Sequence, residues 1–135
     1  MVSVSTDDAL LDVERIHRWL SEDAYWARGR SRETVERSLR QSVNVGAYDH
    51  DELVGFLRLV TDRATFAWVC DVYVDPAARG LGVGKLLVAE ADRLLASYGV
   101  RRAMLATLDA HGLYTQHGFA PLADVELYMS RGYEQ

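Results

Sequence analysis

One cysteine, two prolines and a single lysine are among the residues this 135-residue chain uses least, and each scarcity narrows its chemistry. Cys70 alone can build neither an internal disulfide framework nor a zinc site made from cysteines. No apolar run approaches the ~20 residues that span a bilayer. The start of the chain, with Asp7 and Asp8 among polar residues, lacks the basic and then apolar pattern of a secretory leader. A soluble, cytoplasmic protein with no membrane partner is therefore expected. A net charge of −5 argues against a general nucleic-acid binder, although Arg28, Arg30 and Arg32 cluster. Apart from Lys85 the positive charge is all arginine, whose rigid fork suits anion pairing or else reflects compositional bias. With 49% apolar residues the chain can fill one core but not two, so residues 1–135 are expected to form a single domain. Internal repeats, low-complexity tracts and linkers are absent as well.

Glycine, by contrast, is concentrated where it can act. The run Val74-Asp75-Pro76-Ala77-Ala78-Arg79-Gly80-Leu81-Gly82-Val83-Gly84-Lys85 joins a β-branched segment to an apolar periodic one. Trp68 to Val74 reads as a strand stopped by Asp75-Pro76, since proline cannot continue a ladder. Leu86, Leu87, Ala89, Ala91, Leu94 and Leu95 then recur at helical spacing up to about Tyr98. Without side chains at 80, 82 and 84 the backbone can turn sharply and aim several N–H groups at one anion, aided by the helix dipole. A Walker A loop is excluded, because only three residues separate Gly80 from Gly84 and Leu86 stands where Ser or Thr is required. The dinucleotide fingerprint is a poor fit too, the turn being G-x-G-x-G and past mid-chain. An ordinary strand-to-helix connection remains the plain alternative.

Elsewhere the reading is coarser. Val2 to Ser5 suggests a short strand. Asp7 or Asp8 caps a helix whose apolar face carries Leu10, Leu11, Val13, Ile16, Trp19 and Leu20, and Ser31 caps a second helix to about Arg40. Val43 to Tyr48 and Leu53 to Val60 flank the polar turn 49–52, as in a hairpin, and a third strand follows from Phe66 to Val74. After the glycine-led helix come a strand from Arg102 to Ala106 and a closing strand near Leu127 to Met129.

Arg79-x-x-Gly82-x-Gly84 after Val74-x-Pro76 resembles the acetyl-CoA signature of the GNAT acetyltransferase superfamily. Thr107-Leu108-Asp109-Ala110-His111-Gly112-Leu113-Tyr114-Thr115-Gln116-His117-Gly118-Phe119 resembles that family's second CoA-contacting segment, with Thr107 where asparagine is usual. Tyr25 to Ser31 and Thr61 to Phe66 resemble a small bacterial branch of the same superfamily. The resemblance implies an α/β GNAT fold: a mixed central sheet of about six to seven strands, about four flanking helices, and a splay between the strand ending at Val74 and the strand Arg102 to Ala106. It also implies acetyl-CoA as donor, CoA as product, and direct attack by a primary amine of a small molecule or peptide. The donor would meet Val72, Tyr73 and Val74 along the strand, Arg79, Gly80, Leu81, Gly82, Val83, Gly84 and Lys85 at the turn, and Thr107. With Thr107 in place of an amide, one pantetheine contact is lost or passes through water. Only about 16 residues follow Phe119, Pro121 among them, so a more open cleft is expected. No metal is implied.

Within that frame Tyr114 is the candidate acid, because a phenol of pKa ~10 can lend a proton to a thiolate of pKa ~8.5 or above. Its alternative role is to pack a helix on the sheet. An alkylamine is mostly protonated at neutral pH, so a base helps; Asp71 is the first choice, its pKa raised by an apolar setting. Asp109 and His111, or ordered water, are alternatives. His17, His50 and His117 lack metal-ligand spacing, and Cys70 has no activating neighbour. Tyr25, Trp26, Arg28 and Arg30 precede the second helix, which covers the acyl end of the cleft in the resembling fold, and are the candidate substrate contacts. Trp68 reads as core. A homodimer joined by sheet edges or C-terminal segments fits such a chain. A non-catalytic acyl-CoA-binding module, and an acetyltransferase toxin acting on charged tRNA, are the alternative functions; the acidic balance weighs against the latter.

Overall fold

In the computed structural model, which describes residues 1–134, five strands form one sheet in the order β1-β2-β3-β4-β5. Strands β1 (Val2–Ser5), β2 (Val43–Asp49), β3 (Glu52–Thr61) and β4 (Phe66–Val74) run antiparallel, while β5 (Arg102–Met104) lies parallel to β4. Short polar turns join β2 to β3 and β3 to β4, whereas the parallel pair needs a crossover. Helix α3 (Val83–Tyr98) provides it and ends on Gly99, whose φ of +73° closes the last turn. Helices α1 (Val13–Arg18) and α2 (Arg32–Arg40) cover the opposite face, and α4 (His111–Thr115) follows β5.

Capping explains where the helices begin. Ser31 accepts from the Thr34 N–H at 3.1 Å, as its spacing predicts. Asp12 starts α1 by accepting from the Arg15 N–H at 3.0 Å. Asp7 instead caps only the single tight turn Asp8–Leu10, so the first helix begins later than Asp7 or Asp8 suggested. After Arg18 the coil widens, the Ala24 N–H reaching the Trp19 carbonyl at 3.1 Å.

Two apolar layers sandwich the sheet. Val83, Leu87, Ala91 and Leu95 of α3 pack on Val45, Ala47, Leu57, Leu59 and Val69. Ile16, Trp19, Leu20, Val35 and Leu39 pack on Phe56, Leu53 and Tyr73 from the other side. Gly55 is where α3 comes closest: a Cβ there would stand 2.8 Å from the Val83 side chain and 3.2 Å from Leu87. Gly55→Ala is expected to cost roughly 1–3 kcal/mol through overpacking. A denaturant midpoint unmoved by this substitution would show that α3 can shift freely.

Strand β4 is irregular at one decisive place. Phe56 pairs with Tyr73 and Arg58 with Cys70, so Asp71 and Val72 together oppose Leu57 in a β-bulge. Asp71 takes φ +53°, a left-handed conformation that aspartate tolerates better than most residues. The bulge also switches parity: Ala67 and Val69 face α3 before it, and Val72 and Val74 do so after it.

The sheet is smaller than the six to seven strands expected. The strand from Arg102 ends at Met104, not Ala106. Near Leu127 to Met129 the described residues form a tight turn, Val125–Leu127, followed by chain outside any ladder. Pro121 supplies no N–H to a ladder at the start of that segment. No helix among the described residues is long and apolar enough to cross a membrane.

Candidate active site

The glycine turn opens a helix that is left uncapped. Gly80 and Gly82 have φ of +84° and +80°, and an added Cβ at either would meet nothing within 4 Å. Gly82 has no side chain to offer, so none caps α3, and the first helical bond to it is Leu86 N–H to the Gly82 carbonyl at 3.1 Å. The N–H groups of Val83, Gly84 and Lys85 consequently point out of the helix end unpaired within α3. Gly84 differs from the sequence expectation: it lies in the first helical turn, where a Cβ would make ordinary contacts with Leu113 at 3.7 Å and Val74 at 3.9 Å. These groups line a hollow of about 230 Å³ bounded by Val74, Leu113 and Lys85. Leu81 stands exposed at its rim.

Next to the hollow the sheet comes apart. Only Phe66, Ala67 and Trp68 pair with β5, opposite Arg102, Ala103 and Met104. Beyond them the two parallel strands diverge, and the bulge leaves Val72 out of register with β3. Backbone polar groups around Val72 thereby face a gap.

Several expected donor contacts are already committed inside the protein. Arg79 folds back, its Nε donating to the Val74 carbonyl at 3.1 Å and its guanidinium lying 5.4 Å above the Tyr73 ring. Tyr73 turns away toward α1, stacks at 5.2 Å on Trp19 and donates its hydroxyl to Asp23. Burial and Asp23 push that phenol up to about 12, so only the Tyr73 backbone can serve a donor. Thr107 accepts from the Ala110 N–H at 3.0 Å and so closes the turn into α4.

Asp71 corrects the sequence reading. Its environment is not apolar: Arg58 Nε donates at 2.9 Å and Arg30 Nη1 at 2.8 Å to one carboxylate oxygen, and Trp26 Nε1 at 2.8 Å to the other. Burial works to raise the pKa, but the two guanidiniums and the indole outweigh it and hold the carboxyl below the usual range. A carboxylate that resists protonation is a poor general base. The same bonds change the substrate loop: Arg30 is tied to Asp71 and is not a free anion clamp, and Trp26 is fixed by its indole N–H. Tyr25 meets the Trp26 ring edge-on at 5.0 Å and is exposed, as is Arg28.

Tyr114 is buried on α4 with its ring edge-to-face to Phe119 at 6.0 Å. Gly118, at φ +85°, ends the turn and lets the Phe119 N–H reach the Tyr114 carbonyl at 3.3 Å. Burial pushes the phenol upward, and its hydroxyl has no hydrogen-bond partner among the described residues. Tyr114 lines a second groove, of about 320 Å³, with Met104, Leu105, Thr107, Phe119 and Val125. His111 lies in this groove too. His17 bonds the Arg30 carbonyl, and His50 and His117 stand beside Asp49 and Asp92. Burial pushes the Cys70 thiol up to about 11 and makes it a weak nucleophile. Trp68, read as core, is instead partly exposed.

Arg58 and Asp23 escaped the sequence reading. Arg58 leaves a signal in hindsight, a lone charge inside the apolar run Leu53 to Val60. Asp23 leaves none.

Residues 13–119 match the sequence model of the acetyltransferase (GNAT) family. The structure superposes on the crystal structure of a protein ascribed to that family from Xanthomonas campestris pv. campestris, with a TM-score of 0.94, 41% identity, and coverage of 98% of this chain and 94% of the other. A Staphylococcus aureus protein, also ascribed to the acetyltransferases, superposes with a TM-score of 0.79 at 26% identity over 98% of this chain and all of its own. A Gibberella zeae protein ascribed to the acetyltransferases is 32% identical over 131 aligned positions, 82% of this chain and 74% of its own length.

Proposed function

This chain belongs to the GNAT acetyltransferase family, and on that premise we propose that it transfers an acetyl group from acetyl-CoA directly to a primary amine on a small molecule or peptide. The observation that carries the donor assignment is the uncapped start of α3 behind two left-handed glycines. Three N–H groups and the positive end of a 16-residue helix converge there on a hollow, with nothing within 4 Å of the Cβ positions at Gly80 and Gly82. A pyrophosphate fits this donor set. When bound, acetyl-CoA supplies the activated thioester.

The chain's own groups then have distinct tasks. Val83, Gly84 and Lys85 N–H groups hold the pyrophosphate. Backbone groups near Val72, freed where β4 leaves β5, orient the pantetheine amides and offer an N–H to the thioester oxygen. Tyr114 Oη keeps its proton, since burial raises its pKa. A full transfer from a phenol at ~10 to a thiolate at ~8.5 is uphill by about 2 kcal/mol. Oη therefore acts first as a hydrogen-bond donor while charge gathers on sulfur, and solvent completes the protonation. The acceptor amine loses its proton to water, Asp71 being locked in its ion pairs. Tyr25, the exposed part of Trp26, and Arg28 receive the body of the acceptor.

Calorimetric titration with acetyl-CoA and CoA tests the donor site. The wild type is expected to bind in the micromolar range. Gly82→Val, which forces a β-branched residue to φ +80° in the mouth of the hollow, is expected to lose at least tenfold in affinity. A folded wild type that binds neither molecule overturns the proposal.

A further inference from the structure

Asp71 holds, inside a strand, a backbone angle that strands avoid. Among the described residues, three other than glycine take left-handed angles: His50 and Arg63 in exposed turns, and Asp71 within β4. Such an angle persists inside a ladder only when its surroundings over-determine it, and residues held that way gather at functional sites. Here the surroundings are three donors on one buried carboxylate, and they come from opposite sides.

One side is the sheet. The Arg58 backbone pairs with Cys70 just before the bulge, its Nε crosses to Asp71 at 2.9 Å, and its Nη1 is anchored on Ser42 Oγ at 3.0 Å. Arg58 thereby holds the bulged residue against β3, and the next N–H along the chain is that of Val72. The other side is the loop 24–31, which carries Tyr25, Trp26 and Arg28. Ala24 and Ala27 of this loop are buried in the α1–α2 layer, a contact without direction. Its backbone bonds are local, Gly29 N–H to the Ser21 carbonyl and Arg30 N–H to that of Ala27, both at 3.0 Å. Among the described residues the loop's only hydrogen bonds to the sheet are those of Trp26 and Arg30, and both end on Asp71.

We propose that Asp71 is a positioning residue: its shared carboxylate fastens the loop 24–31 to the bulge that presents the Val72 N–H, so that the acceptor side and the thioester side of the cleft keep one fixed separation. Attack of an amine on a thioester is sensitive to such spacing, a misplacement of about 1 Å costing on the order of a hundredfold in rate. The residue type suits the task. Glycine would supply the bulge without the tie, and an apolar residue would supply neither. One carboxylate oxygen takes both guanidiniums and the other takes the indole, which fixes the plane of the carboxylate as a single bond would not. The consequence for acetyl transfer rests on the proposed function; the tie between loop and bulge does not.

Hydrogen exchange on the full chain reads the tie without any ligand, and calorimetry with acetyl-CoA and CoA reads the Val72 N–H without an acceptor. Asp71→Asn keeps the left-handed angle and the indole bond, so it folds. It is expected to speed exchange of the Gly29 and Arg30 amides at least tenfold relative to the amides of β3, which report global opening. Its affinity for acetyl-CoA is expected to fall about three- to tenfold, the worth of one hydrogen bond, while CoA, which has no thioester oxygen, stays within twofold. Arg58→Met tests transmission. It leaves Asp71 one guanidinium, a balanced pair, and Arg58 bonds no residue of the loop. The same two amides are nevertheless expected to exchange at least threefold faster relative to β3. Equal losses for acetyl-CoA and CoA in Asp71→Asn overturn the positioning of Val72, since a merely structural residue would not separate the two ligands. Wild-type exchange at Gly29 and Arg30 in either variant overturns the tie. A wild type that binds neither ligand strikes the proposed function alone and leaves the exchange result standing.

Discussion

Tyr114→Phe is expected to lower the turnover of acetyl transfer by roughly a hundred- to a thousandfold, the span seen when one hydrogen-bond donor to transition-state charge is removed, while leaving the affinity for acetyl-CoA in place. The substitution is clean because it removes one oxygen and nothing else. The ring keeps its edge-to-face contact with Phe119, and the hydroxyl has no protein partner to orphan. A purely structural tyrosine would therefore leave both folding and turnover unchanged. Steady-state turnover with thiol release as the readout, beside calorimetric binding of acetyl-CoA, separates the two roles. Equal turnover in wild type and variant removes Tyr114 from the chemistry and limits it to packing α4.

The second large effect is on stability. Asp71→Ala is expected to cost ~3–5 kcal/mol, because it leaves the Arg58 and Arg30 guanidiniums facing each other at a partly buried site without their shared carboxylate. Trp26 loses its indole acceptor in the same step. Asp71→Asn falls between, since an amide oxygen still accepts from Trp26 and asparagine tolerates the left-handed bulge. A denaturant midpoint within ~0.5 kcal/mol of wild type for Asp71→Ala, the range of an ordinary surface substitution, would show that the cluster carries no net stability. The pH dependence has a definite sign. Because the folded pKa of Asp71 is depressed, the folded protein binds fewer protons there than the unfolded chain. Its contribution is complete above the ordinary carboxylate pKa of ~3.9 and is lost as pH falls toward the lower folded value. Wild type and Asp71→Asn stabilities should converge on acidification below that point. Parallel curves would assign the acid sensitivity to other carboxylates.

Much of the fold was legible because its signals are local. The strand from Phe66 to Val74 is bounded by a proline, the apolar stripe of α3 has helical period, and Ser31 announces α2. The two linked motifs from Arg79 to Gly84 and from Thr107 to Phe119 were enough to identify the family. What the pattern misjudged depends on partners remote in sequence. Asp71 read as a carboxylate between Cys70 and Val72, an apolar setting along the strand. Its actual surroundings come from Trp26 and Arg30, 45 and 41 residues earlier, and from Arg58 on the next strand. Likewise the closing strand expected near Leu127 to Met129 does not form, because a strand exists only where another pairs with it.

By itself the sequence determined the order of the five strands and of the helices between them, the family and the glycine-led turn that opens α3, since periodicity, glycine spacing and proline stops act through neighbouring residues along the chain. Only the tertiary structure decided which charges are free. It placed two arginines and a tryptophan on Asp71, folded Arg79 back on Val74 and Tyr73, and left the edge of β5 open beside Tyr114. Those outcomes turn on a bulge that switches the facing of β4 and on side chains meeting across loops, and electrostatic interaction depends on distance in space, which spacing along the chain does not encode.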